Sequence, residues 1–292
     1  MIYYINKNFA TVINNLNTDG IQSYIYALKN LWLRLEKFDQ PLPPSFEAEI
    51  KNTIQNLKIL PLSFKKCFPK FCRLTVNKRL PENNNQRIIE TKWLGCKLSD
   101  AVKEYGRMNF IGQSILYGTF AIPTAINELK PQIGDIVTIS EWSLIEPEKE
   151  MIVYPIFWKM AKNAGFFQIV NQYNSLTSRY DKPVKELIDA QVEFIAEIMS
   201  KRINHNNLYV ITSSIANKIF FNERKEEIEA IIYPSVQDKT RIDNIAIKPN
   251  SFWTKYKLNS VKEYQIEVSS DDLKMNILTG YSTEFINGEI IW

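Results

Sequence analysis

An arginine and a glutamate, Arg107 and Glu128, enclose twenty residues that carry no formal charge but include many polar side chains, among them Asn109 and Tyr117. A guanidinium has a planar fork of donors that forms paired bonds with phosphate or carboxylate oxygens. A fixed carboxylate can stabilise positive charge that develops during a reaction. The uncharged stretch is about long enough to cross a bilayer, but burying so many polar groups in hydrocarbon would be too costly. The segment is therefore predicted to line a polar pocket.

A second candidate element is Tyr233-Pro234-Ser235, at the end of the apolar run that follows Glu229. The run predicts a short strand that stops near Pro234. Ser235 would then lie at the end of a strand, where its hydroxyl can donate a hydrogen bond to a ligand oxygen.

The sequence lacks the residues that several other common kinds of active site require. The sequence has no Walker-type phosphate loop and no Gly-rich dinucleotide fingerprint after a strand. The single histidine, His205, lies in the polar run NHNN, so we expect a solvated loop residue rather than a catalytic base. Cys67 and Cys72 lack the second close pair that a tetrahedral zinc site needs, and no metal is predicted.

Composition places the chain among folded globular proteins, since 45% of residues are hydrophobic and 23% are charged. The formal net charge of +4 is too small to indicate a surface that wraps a polyanion. An odd number of cysteines, Cys67, Cys72 and Cys96, argues against a disulfide framework. The first twenty residues do not resemble a signal peptide, so a cytoplasmic protein is expected.

Two amphipathic helices are predicted near the N-terminus. Apolar residues recur at three- and four-residue steps from Gly20 to Lys37. A second helix is predicted over Ser45 to Leu57, with Ser45 as its N-cap. A polar, turn-like stretch from Pro81 to Asn85 follows. We therefore predict a helical N-terminal region over residues 1–85 and a catalytic domain over residues 86–292.

The rest of the chain mixes short strands with helices. The run DIVTISEWSL from Asp135 alternates as a half-buried strand does, with Val137 and Ile139 on one face and Thr138 and Ser140 on the other. Further predicted elements are helices over Lys185–Lys201 and Tyr209–Phe221 and a hairpin turn at Asn287-Gly288. Because no strict βαβ rhythm is present, the expected fold class is α+β.

Taken in order, these motifs resemble the core of the RES domain family. The family pattern of an arginine, an Asn and a Gly, a Leu-Tyr pair and an Ala-x-x-Glu is matched by Arg107, Asn109, Gly112, Leu116-Tyr117 and Ala125 to Glu128. A late Tyr-x-Ser element is matched by Tyr233-Pro234-Ser235, and a Tyr-x-x-Thr helix start by Tyr209 to Thr212. The resemblance covers roughly residues 90–250 and leaves the N-terminal third unexplained.

The resemblance implies a toxin on a fold related to ADP-ribosyltransferases, which consumes NAD⁺ as a substrate and holds no resident cofactor. The nicotinamide–ribose bond would be cleaved by hydrolysis, or by phosphorolysis with inorganic phosphate. One alternative is transfer of ADP-ribose to a macromolecule, and another is an inactive RES-like module that binds a nucleotide or a partner. The family also implies a cognate antitoxin of the Xre type, a helical DNA-binding protein.

Roles for individual residues follow from that resemblance. Cleavage of the nicotinamide–ribose bond develops positive charge on the sugar, which the Glu128 carboxylate would stabilise. Arg107 would hold the pyrophosphate or an attacking phosphate, Tyr117 would offer a flat face to nicotinamide, and Ser235 would donate to a ribose or phosphate oxygen. Further substrate-binding candidates share a place in the same motifs: Asn109, Thr212 and Tyr233.

Structural roles for the same residues remain alternatives. Arg107 and Glu128 could form a salt bridge, Tyr117 could pack in the core, and Ser235 could be a turn residue after proline. A nucleic-acid-binding surface is a further alternative, based on a basic cluster of Lys65, Lys66, Lys70 and Arg73. We disfavour nucleic acid as a partner because solvated faces often carry such clusters.

Overall fold

The computed structural model describes residues 18–37, 41–55, 63–159, 164–203, 206–221, 227–236, 244–269 and 274–292. The helices are α1 (Thr18–Leu35), α2 (Pro44–Gln55), α3 (Ile122–Leu129), α4 (Ala164–Thr177), α5 (Lys182–Ser200), α6 (Tyr209–Phe221) and α7 (Pro249–Lys255). The strands are β1 (Phe64–Lys66), β2 (Lys70–Val76), β3 (Leu116–Thr119), β4 (Ile136–Leu144), β5 (Met151–Pro155), β6 (Ala230–Tyr233), β7 (Asn244–Ile247), β8 (Tyr256–Ser269), β9 (Lys274–Ser282), β10 (Glu284–Ile286) and β11 (Glu289–Ile291). The fold class is α+β, as predicted.

The chain divides into two compact units, each built from three segments. The first unit comprises Met1–Lys66, Ser99–Gln113 and Met151–Ile242, and the second comprises Cys67–Leu98, Ser114–Glu150 and Asp243–Trp292. The predicted boundary near residue 85 falls inside the first segment of the second unit. Ahead of that boundary the chain also contains the strands β1 and β2 beside its helices.

The first unit packs helices with three described strands. β5 runs antiparallel to β1, with Val153 opposite Phe64, and parallel to β6, with Val153 opposite Ala230. α1 packs on α5, and α2 packs on α6. α6 is buried on most of its sides, which suits a helix whose sequence, YVITSSIANKIFF, contains one charged residue.

The N-terminus of α2 differs from the prediction. The helix begins at Pro44, and the Pro43 carbonyl accepts the N–H groups of Phe46 at 2.9 Å and Glu47 at 3.1 Å. Proline suits the first helical position because its fixed φ is helical and its missing N–H would have no partner there. Ser45 therefore lies inside the helix, and its assignment as the N-cap was wrong.

Six described strands of the second unit form a sheet in the order β7-β3-β2-β4-β8-β9, and every neighbouring pair in that order is antiparallel. The strands β10 and β11 of the same unit form a separate hairpin. One face of this sheet is covered by α3, whose Ala125 packs in a cluster with Leu74, Val76, Val137, Ile139 and Ile266. The other face packs against α7, where Phe252 contacts the rings of Phe71, Trp142 and Tyr256. Both faces of the central strands are therefore covered.

This double coverage corrects the prediction for β4. Thr138 and Ser140 are fully buried, as are Val137 and Ile139 on the opposite face, so the strand is not half-buried. The two hydroxyls are compatible with burial because both are hydrogen-bonded. Thr138 Oγ1 donates to Asn77 Oδ1 at 2.9 Å, and Ser140 Oγ accepts from Trp142 Nε1 at 3.0 Å.

Several predicted element bounds, and one predicted turn, are confirmed by the structure. α6 spans the predicted Tyr209–Phe221, and β6 ends directly before Pro234. Asn287 and Gly288 join β10 to β11 with positive φ values of 50° and 84°, as a tight hairpin turn requires. Among the described residues, no helix combines the length and the apolar composition needed to cross a bilayer.

Candidate active site

Glu128 lies in the last turn of α3, in the second unit. The turn that starts this helix is fixed by Thr119 at the end of β3. Its Oγ1 accepts the Ala121 N–H at 3.1 Å and lies 2.9 Å from the Ala121 carbonyl oxygen, to which the hydroxyl donates. Lys130 ends the helix in the left-handed region, with a φ of 46°. Both ends of the short helix that carries Glu128 are therefore defined.

The Glu128 carboxylate is bound by Asn244, the first residue of β7. Asn244 Nδ2 donates to Glu128 Oε1 at 2.8 Å. Asn244 is buried, with 3% of its surface exposed, whereas Glu128 is half-buried. The hydrogen bond thus fixes a carboxylate that retains access to solvent.

Tyr117 lies on β3, two residues before Thr119. The pairing of β3 with β7 places Tyr117 opposite Ala246 and Thr119 opposite Asn244. Because side chains alternate along a strand, Tyr117, Thr119 and Asn244 share one face of the sheet. A diagonal pair such as Tyr117 and Asn244 is about 7–8 Å apart, within reach of an aromatic side chain. Tyr117 is half-buried and so is not a core residue.

Arg107 lies in the first unit and binds main-chain oxygens. Its Nη1 donates to the Met199 carbonyl at 2.7 Å and its Nη2 to the Lys201 carbonyl at 3.1 Å, at the C-terminus of α5. The guanidinium carbon lies 5.9 Å from the ring centroid of Tyr209. The last carbonyls of a helix have no partner within the helix, so Arg107 caps α5. These two contacts use two of its five N–H bonds.

Thr212 joins this arrangement through Tyr209. Its Oγ1 donates to the Tyr209 carbonyl at 3.2 Å within the first turn of α6, and Thr212 is fully buried. The structure therefore brings Arg107 to the ring of Tyr209 where α5 ends and α6 begins, and it buries Thr212 in the first turn of α6. Sequence reasoning named Arg107 and Thr212 and used Tyr209 only as the start of a motif.

Asn109 stabilises the loop that carries Arg107. Its carbonyl accepts the Gly106 N–H at 3.0 Å, its Nδ2 donates to the Phe110 carbonyl at 3.0 Å, and 6% of its surface is exposed. These bonds close the loop on both sides of Arg107. Asn109 thus stabilises the conformation of the loop through these hydrogen bonds.

The same loop is attached to α2. Tyr105 Oη donates to Glu47 Oε1 at 2.5 Å, and Lys51 Nζ donates to the same oxygen at 2.5 Å. The Lys51 ammonium also lies 4.9 Å from the ring centroid of Phe110. Burial opposes the charge on Glu47, but the hydrogen bonds from Lys51 and Tyr105 outweigh it and hold the pKa of Glu47 below its ordinary value. The helix α2 therefore supports the segment that carries Arg107.

Tyr233 and Ser235 lie at the end of β6 in the first unit. Tyr233 has 5% of its surface exposed and Ser235 has none. The main chain beside them is fixed, since Ile156 N–H donates to the Ile232 carbonyl at 2.8 Å. Ser235 is thus buried rather than placed at an exposed turn. His205 lies outside the described residues.

The pKa shifts of the three cysteines disfavour them as nucleophiles. Burial raises the pKa of the Cys96 thiol to about 11, and burial also raises the pKa of Cys67 and Cys72. A thiol must ionise to react, so these shifts disfavour the reactive thiolate. Within the described ranges, no group of three His, Cys, Asp or Glu side chains is arranged to hold a metal ion.

Two members of the basic cluster, Lys70 and Arg73, are engaged by neighbouring groups of the second unit. Lys70 forms an ion pair with Glu141 at 3.4 Å. Arg73 donates to the Gly95 carbonyl, and burial lowers its pKa. Arg73 is half-buried, and these contacts engage both side chains, so the arrangement does not favour nucleic acid as a partner.

Comparison with known proteins does not identify a family for this chain. Protein-family models and curated proteins give no match to the chain. The resemblance to the RES family therefore rests on the motif residues of the sequence.

Proposed function

We propose that this chain is a RES-type enzyme that cleaves the bond between nicotinamide and ribose in NAD⁺, on an ADP-ribosyltransferase-like fold. One observation carries the proposal. The carboxylate of Glu128 is fixed by Asn244 on the face of the sheet that also presents Tyr117, and both Glu128 and Tyr117 are half-buried. A fixed carboxylate held at the sheet face that also presents an aromatic ring suits a substrate that pairs a ribose with a flat, charged leaving group.

The proposed reaction breaks one bond to C1′ of the ribose and forms another. The bond between C1′ of the ribose and the nicotinamide nitrogen breaks, and its electron pair stays on the nitrogen. Positive charge develops on the sugar as in other glycosidic cleavages, and the negative charge of Glu128 lowers the energy of that state. Water or inorganic phosphate then forms the new bond to C1′ and releases a proton.

Arg107 is proposed to bind a phosphate of the substrate through the N–H bonds that α5 does not use. Three N–H bonds remain after its contacts with the Met199 and Lys201 carbonyls. Thr212, Tyr233, Ser235 and Asn109 belong to the same unit and are proposed to support substrate binding there. We further propose that the enzyme works in the cytoplasm and is held inactive by an Xre-type antitoxin, as the family resemblance implies.

The decisive experiment is incubation of the purified protein with NAD⁺, with and without phosphate, followed by chromatographic analysis of the products. We expect free nicotinamide together with ADP-ribose, or with its 1-phosphate if phosphate is the nucleophile. The rate of NAD⁺ loss should fall by about 10³-fold in Glu128→Ala. A product attached to an added macromolecule would identify ADP-ribosyl transfer instead. Intact NAD⁺ under all these conditions would favour a RES-like binding module without the chemistry.

A further inference from the structure

Asn244 and Glu128 both occupy positions that local preferences disfavour. Asparagine is depleted in strands, and a buried amide is costly unless it is hydrogen-bonded. A carboxylate in the last turn of a helix faces the negative end of the helix dipole. Neither residue is explained by its own element, whereas the 2.8 Å bond between them explains both. Such local conflicts are typical of functional positions.

The backbone defines where this bond can form. Asn244 lies opposite Thr119 in the β3–β7 register, and the Thr119 hydroxyl fixes the turn into α3 through Ala121. Glu128, near the end of that helix, then returns to Asn244. Strand pairing, turn and helix therefore form a closed path, and the Asn244 amide is its last link.

The chemical type of the partner also matters. A lysine or arginine at this place would hold the carboxylate but would also offset its charge. The neutral amide of Asn244 donates a hydrogen bond and leaves the negative charge of Glu128 in place. An electrostatic role toward a cationic sugar needs both a fixed orientation and an undiminished charge.

We infer that Asn244 is the positioning residue of the site, which fixes the rotation of the Glu128 carboxylate so that its charge faces the ribose during cleavage. The inference rests on the proposed function for its substrate, and on the hydrogen bond for its geometry. Asn244 is assigned no contact with NAD⁺ itself.

The kinetic test uses Asn244→Ala alone and combined with Glu128→Ala. Misplacing a reacting group by about 1 Å can cost on the order of 10²-fold in rate, so we expect kcat to fall by about that factor in N244A while KM changes little. In the Glu128→Ala background, N244A should cause no further loss, because Asn244 acts only through Glu128. Additive losses, or unchanged kcat in N244A, would overturn the inference.

Asn244→Asp provides a readout that a purely structural role would not move. Two adjacent carboxyl groups share one proton, so in N244D a protonated Asp replaces the amide as donor only at low pH. Activity relative to wild type should therefore be partly restored in acid and lost as the pH rises above about 5. Equal relative activity at every pH would contradict the assignment.

A measurement without turnover separates this inference from the proposed function. The side-chain amide signal of Asn244 in a nitrogen-15 spectrum, assigned by its absence in N244A, should move when Glu128 is replaced by Gln. If it moves but wild type consumes no NAD⁺, the pairing stands and the proposed reaction fails. If it does not move, the positioning role fails whatever the turnover, even if an Asn244 variant is too unstable for kinetics.

Discussion

The two charged residues that motivated the functional hypothesis are held in different ways. In the first unit, Arg107 donates to the main-chain carbonyls of Met199 and Lys201, at the end of α5. In the second unit, Glu128 accepts a hydrogen bond from the side chain of Asn244. Main-chain acceptors persist through most substitutions, whereas a side-chain donor is removed by a single one. The orientation of Glu128 should therefore be the more easily altered of the two.

The largest effect within the first unit is expected from Arg107→Ala. The variant removes the proposed phosphate ligand, and turnover should fall by about 10²–10³-fold, as for loss of one electrostatic contact in an active site. It also removes two hydrogen bonds to helix-terminal carbonyls, so the free energy of unfolding should fall by about 1–3 kcal/mol. Steady-state kinetics and urea unfolding measure the two effects separately.

Arg107→Lys is the matched control for this comparison. A lysine keeps the positive charge at the end of α5 but lacks the planar fork that binds two acceptors at once. We expect it to recover part of the stability lost in R107A and little of the turnover. Wild-type turnover in R107A would remove Arg107 from the site and leave it only as a helix cap.

In the second unit, Gly118→Ala should disturb the strand that carries Tyr117 and Thr119. A Cβ at Gly118 would lie 2.5 Å from a ring carbon of Phe71 and 3.2 Å from a methyl carbon of Ile245. Overpacking of this kind costs typically about 1–3 kcal/mol. Thermal unfolding should show the loss, and an unchanged melting temperature would mean that β3 packs less tightly against Phe71 than described.

A smaller effect is expected from Thr119→Ala. The variant loses the hydroxyl that fixes the turn into α3, and one hydrogen bond contributes about 1 kcal/mol. Thr119→Ser keeps the hydroxyl and should retain most of the stability. If the two variants unfold alike, the hydroxyl does not define the start of the helix that carries Glu128.

The smallest predicted effect concerns the Glu47 contact with the Arg107 loop. The pKa of Glu47 is held below its ordinary value, so its contribution to stability is present above the unfolded-state value and is lost as pH falls through the folded-state value. Because the side chain is 29% exposed, the contribution should be at most about 1 kcal/mol. Wild type should therefore lose slightly more stability than Glu47→Gln as the pH falls below about 5. Parallel curves for the two proteins would contradict this assignment.

The sequence predicted the elements better than their surroundings. Apolar periodicity and the motif pattern located α6, the end of β6 and the Asn287-Gly288 turn, because each depends on neighbouring residues. The sequence could not show that both faces of β4 are covered, because the burial of Thr138 and Ser140 depends on segments that are distant in the chain. Periodicity also gave no warning that Pro44, rather than Ser45, would start α2.

Asn244 illustrates the same limit at the candidate site. Its hydrogen bond joins residues 116 positions apart, and the segment DNIAIKP alone reads as a short apolar strand. The signal that could have identified it is an asparagine at the start of that strand, where this residue type is depleted. The partners of Arg107 could not be predicted either, because every residue has a main-chain carbonyl and residue type does not reveal which one accepts a hydrogen bond.

The most direct measurement of the central claim is the rate of NAD⁺ loss in Glu128→Gln, compared with wild type and with Glu146→Gln. The glutamine keeps an oxygen that can accept from Asn244 but removes the charge, while Glu146 is an exposed carboxylate paired with Lys149. We predict a loss on the order of 10³-fold in E128Q, an unchanged melting temperature, and wild-type turnover in E146Q. Wild-type turnover in folded E128Q would show that the charge of Glu128 has no part in the reaction.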